Sequence, residues 1–218
     1  LPENPWFDGG DTRFRPGNLL VSARDPNLVF IIDRETKEVV WTYRGDLDAQ
    51  HEALMLGPED VAPGRIQIFN NRRDSRDRDR RSELIEIDPR DGSVEWRYSR
   101  PGFFSATHGA GQPRPNGNVM IASSRGARAF EVDRDGNKVW EWAPPFLIKR
   151  PHRYAYDFCA DLAALPKPEE SPVEPQSSYE LVDRDAYLLV RPPHVATRRV
   201  AGERRRVLKR PSICRGDY

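Results

Sequence analysis

Apolar and polar positions alternate along short segments of this chain, and the segments recur in a fixed order. Each recurrence opens with a glycine and an apolar run, at residues 17–24, 64–71 and 117–124. A second run ends on aspartate, at Asp33, Asp88 and Asp133, and that aspartate opens a polar turn. A third run, at 39–43, 94–98 and 139–142, closes the unit around Trp41, Trp96 and Trp140. Period-two alternation is the mark of a strand with one face more buried than the other, and Asp-led turns reverse antiparallel pairs. Residues 51–56 and 107–112 supply a further strand just before the second and third glycine. In the first copy its place falls before Leu1. No helical period persists anywhere.

Four short antiparallel strands per repeat, with an aromatic late in each, describe a blade of a β-propeller. The expected fold class is therefore all-β, a propeller of four-stranded antiparallel blades followed by an irregular C-terminal extension. The blades run over 1–50 (partial), 51–106 and 107–145. Wheels close with roughly four to eight blades, so preceding blades or a partner chain would complete this one and cover its strand edges. Extra length in the second blade sits at 57–63 and in the run 72–81, where Arg and Asp alternate as in an exposed loop with self-compensating charge. Residues 146–175 read as a capping segment, with Tyr154, Tyr156 and Phe158, and a Pro-rich linker. Residues 176–218 read as a hairpin and a basic tail.

Composition narrows the function classes. Of 218 residues, 35 are Lys or Arg and 34 are Asp or Glu, for a net charge of +1. Such a balance implies no long-range field for nucleic acid or a membrane surface. No run approaches the roughly 18 apolar residues of a membrane span. Cys159 and Cys214 admit either a disulfide in an oxidising compartment or two free thiols. Quinone-dependent dehydrogenase propellers share Trp-rich blades, but neither vicinal cysteines nor a cluster of calcium-binding carboxylates is present here.

The stretches 4–8, 13–25, 31–36 and 50–53, together with Phe103-Phe104-Ser105, residues 115–118, Phe130-Glu131-Val132 and Tyr154-Ala155-Tyr156-Asp157-Phe158, resemble the arylsulfotransferase family of bacterial aryl-sulfate sulfotransferases. The likeness covers residues 1 to about 165 and lies in order and spacing rather than in one motif. It implies a six-bladed propeller, periplasmic or secreted, that moves a sulfuryl group from a phenolic sulfate donor to a phenol acceptor without cofactor or metal. It also implies a channel histidine that is transiently sulfated. In this sequence His51 falls on that nucleophile and Arg24 on a sulfonate-binding arginine. A further family histidine, followed two residues later by Asn, belongs to the inner strand whose place precedes Leu1.

The residue types suit the chemistry. Neutral imidazole is a good nucleophile and a leaving group of intermediate basicity. A guanidinium fork stabilises charge spread over the oxygens of a transferring group, and losing one such donor costs about 3 kcal/mol of barrier. Arg24, Asn71 and Ser124 occupy equivalent positions of the three repeats, and so do His51 and His108. Asn71 and His108 accordingly join Arg24 as substrate-binding candidates, and His152, within reach of the channel, is a further one. Each has a plainer role open to it. His51 also fits an inner-strand histidine hydrogen-bonded to the next blade, Arg24 a local ion pair with Asp25, and the tryptophans blade packing. His194 lies in a Pro-rich tail and is expected in solvent. The two functions left open are an active sulfotransferase and a propeller that serves only as a binding or structural subunit.

Overall fold

The structure, a computed structural model, describes residues 1–73, 80–144 and 147–166. The expected hairpin and basic tail, His194, Cys214, most of the linker and residues 74–79 of the Arg/Asp run lie outside the described residues. The chain divides into two compact units, Leu1–Pro151 and His152–Tyr218.

The first unit is built of antiparallel sheets in sequence order. Strands β1 (Leu19–Ala23), β2 (Leu28–Ile32) and β3 (Val39–Tyr43) form the first, in the order β1-β2-β3. β4 (Ala53–Met55), β5 (Ile66–Asn70), β6 (Glu83–Ile87) and β7 (Val94–Tyr98) form the second, again paired in sequence. β8 (Ala110–Pro113), β9 (Val119–Ser123), β10 (Arg128–Val132) and β11 (Lys138–Trp142) form the third. These are three consecutive propeller-type blades. The pairing of the second and third strands of the repeat shifts register at Ile31/Ile32, Glu86/Ile87 and Glu131/Val132, so the same irregularity recurs in every blade.

The glycine landmarks have a steric cause. Gly17, Gly64 and Gly117 lie at φ +86°, +83° and +88°, a region that side chains disfavour. At this turn Gly64 N–H donates to Leu56 O and Gly117 N–H to Arg114 O. Gly17 N–H donates in the same way to Leu1 O, and the amino group of Leu1 donates to Asn18 O. Leu1 thus makes at this turn the bonds that Leu56 makes in the second blade.

Burial departs from simple alternation in the second and third blades. Every residue of β5, β6 and β9 is buried. Ile66, Ile68, Ile85 and Ile87 pack with Val29, Ile31 and Trp41 of the first blade. Phe69 and Leu84 pack with Val119, Ile121, Phe130 and Val132 of the third. Polar links fasten the same seams. Trp41 Nε1 donates to Pro89 O at 2.7 Å and Trp96 Nε1 to Arg134 O at 2.9 Å, each reaching from a third strand to the turn of the following blade. Arg134 grips the buried Glu86 through two bonds of 2.6 Å, giving an ion pair the fork geometry that burial requires.

Short helical turns complete the unit. α1 (Pro5–Asp8) is capped by Asn4, whose side chain accepts from Phe7 N–H, with Pro5 preset for the first turn. Its Trp6 donates to Gly64 O at 2.7 Å, which ties the segment to the second blade. In the second unit α2 (Ala160–Ala163) is a single turn, and the rings of Tyr154 and Phe158 meet at 4.6 Å.

Candidate functional site

His51 does not open a regular strand; β4 begins two residues later, at Ala53. Its ladder nevertheless extends backwards, since His51 N–H donates to Phe69 O and Phe69 N–H to Glu52 O. The strand expected from Thr107 also starts late. β8 begins only at Ala110, because His108 at φ +60° and Gly109 at φ +112° break the extended chain. Gly109 is required there: a Cβ on it would meet the Phe69 ring at 2.3 Å.

Asn71 follows β5 as Arg24 follows β1 and Ser124 follows β9. Its side chain is wholly buried, and its bonds fix its orientation. The amide nitrogen donates to Ser105 O at 2.6 Å and His108 O at 2.7 Å, so both its protons face carbonyls. The amide oxygen therefore faces His51, 2.7 Å from Nδ1, and Ala49 O lies 3.1 Å from the same nitrogen. Two acceptors around Nδ1 require a proton there. The other ring nitrogen, Nε2, accepts the main-chain N–H of His108 at 2.9 Å, which requires a lone pair. His51 is thus fixed as the Nδ1–H tautomer. A buried web stands behind it: Ser82 Oγ donates to Asn71 O, Ser105 N–H donates to Ser82 Oγ, and Ser105 Oγ donates to Thr107 O.

The imidazoles of His51 and His108 lie 5.6 Å apart between ring centres. Thr107 Oγ1 is shared: His108 Nδ1 is 3.2 Å from it and Arg125 Nε donates to it at 3.3 Å. Desolvation holds the His108 imidazole below the usual histidine range, and the charges of Lys149 and Arg125 lower it further. Glu52 accepts from Gly111 N–H at 2.8 Å and pairs with Arg150 at 2.5 Å.

Of the candidates read from the sequence, the structure brings His51, Asn71 and His108 into one hydrogen-bonded group. The Arg24 guanidinium pairs instead with Asp25 at 2.5 Å, and the carbonyl of its neighbour Ala23 accepts from the Gln50 side-chain Nε2 at 2.9 Å. His152 belongs to the second unit, where its ring stacks on Tyr154. Arg72 does more than balance its own loop, pairing with Asp46 at 2.7 Å and approaching Glu83 at 3.4 Å. Sequence reasoning missed Ser105, Arg125, Glu52 and Lys149. Ser105 falls within the Phe103-Phe104-Ser105 stretch of the family likeness, and Arg125 follows the repeat position of Ser124. No signal marked Lys149. Among the described residues no group of three or more His, Cys, Asp or Glu is placed to hold a metal ion, and no helix is long and apolar enough to cross a membrane.

The fold and site define an all-β chain of propeller-type blades with an imidazole site at the seam of the second and third. The chain belongs to the arylsulfotransferase (ASST) family, whose model matches residues 12–144. No curated protein matches it. Among solved structures it is similar to a protein of unknown function from Bacteroides caccae, at 21% identity and a TM-score of 0.38 over 58% of this chain and 40% of that one. It is also similar to BamB from Moraxella catarrhalis, at 16% identity and a TM-score of 0.34 over 60% of this chain and 33% of that one. The chain thus spans well under half the length of either.

Proposed function

We propose that the site carries out sulfuryl transfer between phenols, with His51 Nε2 as the nucleophile. The observation that carries this reading is the fixed tautomer: with Nδ1–H held by Asn71 and Ala49 O, the only ring lone pair is on Nε2. In the first step that lone pair bonds to sulfur as the S–O bond to the aryl group breaks, and the electron pair leaves on the phenolate. In the second, the acceptor phenol oxygen bonds to the same sulfur, the S–N bond breaks, and the acceptor proton passes to a base. His108 suits that last role, because its imidazole is kept unprotonated and lies close to His51. Arg125, which shares the Thr107 hydroxyl with His108, supplies positive charge beside the sulfonate oxygens. Arg24 remains the family's candidate for the same task once released from the half-exposed pair with Asp25, a bond of small worth. His152 carries no step in this reading. A periplasmic or secreted setting, and completion of the wheel by further blades, belong to the same proposal.

A second reading has its own observation. Nε2 is engaged by the next blade's His108 N–H, as in a histidine that serves only to join blades. The two are separated by supplying p-nitrophenyl sulfate with phenol and following nitrophenol release, with mass spectrometry for a sulfated His51. Turnover in the native chain that is lost in His51→Ala supports transfer. Undiminished turnover in that variant removes His51 from the reaction, and no turnover in the native chain favours the binding or structural subunit.

A further inference from the structure

We propose that the main-chain N–H of His108 is a gate on His51: it caps the nucleophile in the resting protein and swings away before any covalent bond forms at Nε2. This rests on the reading of Nε2 as the reacting atom. The His108 nitrogen sits 2.9 Å from Nε2, along the lone pair that its proton occupies. A covalent N–S bond is far shorter than that distance, so sulfur and the amide proton compete for one place. Capped and sulfated states exclude each other.

The segment is held in this position against the ordinary preference of its backbone. His108 is in the left-handed region at φ +60°, which a residue with a Cβ adopts only when its surroundings impose it. Those surroundings are identifiable: His108 O is gripped by Asn71 Nδ2, Thr107 O by Ser105 Oγ, and the imidazole meets Thr107 Oγ1. Gly109 follows at φ +112°, a hinge between the capped peptide and the start of β8. Asn71 therefore has two functions, since one amide orients the His51 ring and holds the capping residue against it. A displaced N–H needs a new acceptor, and a sulfonate oxygen of the incoming ester, drawn by Arg125 beside Thr107, is the acceptor the reaction itself supplies.

The test uses no aryl sulfate. The full chain is treated with diethyl pyrocarbonate, and modification of His51 is followed by peptide mass spectrometry in the native chain, His108→Gly and His108→Val. Both variants lose the imidazole, so their difference reports the backbone alone. Glycine accepts the left-handed conformation and keeps the cap closed, whereas a β-branched residue resists it and opens the cap. His51 should react about tenfold faster in His108→Val than in His108→Gly, with the native chain between them. Equal rates in the two variants overturn the gate. Should either variant fail to fold, hydrogen exchange of the His108 amide in the native chain decides: protection supports the cap, and exchange at the rate of an exposed amide overturns it. A chain that shows the gate yet transfers no sulfate refutes the sulfotransferase reading alone.

Discussion

Replacing Asn71 by alanine is the most searching perturbation of the site, because one side chain there serves three partners. Its loss leaves His108 O without its donor and Ser105 O with only the longer bond from Ser82 Oγ at 3.3 Å. His51 Nδ1 keeps only Ala49 O at 3.1 Å. Assigning about 1.5 kcal/mol to the wholly orphaned carbonyl and about 0.7 kcal/mol to each weakened partner gives about 3 kcal/mol. For a unit of this size that is a fall in Tm of about 9 °C. Circular dichroism on heating, with a urea titration at 25 °C, measures both. Asn71→Asp, which keeps the size and the acceptor, should do no better, because its second oxygen would face the two carbonyls that the amide protons now satisfy. A loss below about 1 kcal/mol in Asn71→Ala would refute the reasoning. So would nitrogen-15 spectra of the native chain showing His51 protonated at Nε2, since the whole orientation argument predicts Nδ1–H.

Other outcomes follow from the seams between blades. Arg134→Ala leaves the buried Glu86, among the described residues, with the Arg65 cation at 3.6 Å and should cost about 3 kcal/mol in a urea titration, most of it recovered when Glu86→Leu is added. Gly109→Ala should destabilise by at least about 2 kcal/mol, combining a disfavoured φ with a collision against Phe69; a silent substitution would mean that the segment is not held as described. The His108 imidazole, depressed by burial and then by its cationic neighbours, binds its proton less readily folded than unfolded. Its contribution to stability is therefore present above the ordinary histidine value of about 6.5 and is lost as pH falls below it. Urea midpoints at pH 8 and pH 5 should differ less in His108→Asn than in the native chain.

The strands were legible because their information is local. β3 and β7 fall where the Trp-centred runs were read, and β1, β5 and β9 follow the turns that Gly17, Gly64 and Gly117 announce. The fourth strands were harder. His51 and Thr107 look like strand starts by alternation, yet the left-handed residues His108 and Gly109 are imposed by the Phe69 ring and by Asn71, neither of which is near them in sequence. The full burial of β5, β6 and β9 was also invisible, since a period-two pattern does not say whether a strand's second face is covered as well. In the site, the repeat placed His51 in step with His108 and Asn71 in step with Arg24. It gave no reason to expect that Asn71 would serve the imidazole rather than a substrate, whereas the pairing of Arg24 with Asp25 was open from their adjacency.

By itself, then, the sequence determined the blades, their turns and the repeat positions of the candidate site residues, because φ preference, alternation and Asp-led turns act over a few residues. Only the tertiary structure decided which nitrogen of His51 holds the proton and what covers the other. Those answers depend on hydrogen bonds from Asn71 and from the His108 peptide, 20 and 57 positions along the chain. Such bonds exist only once one sheet has packed against the next.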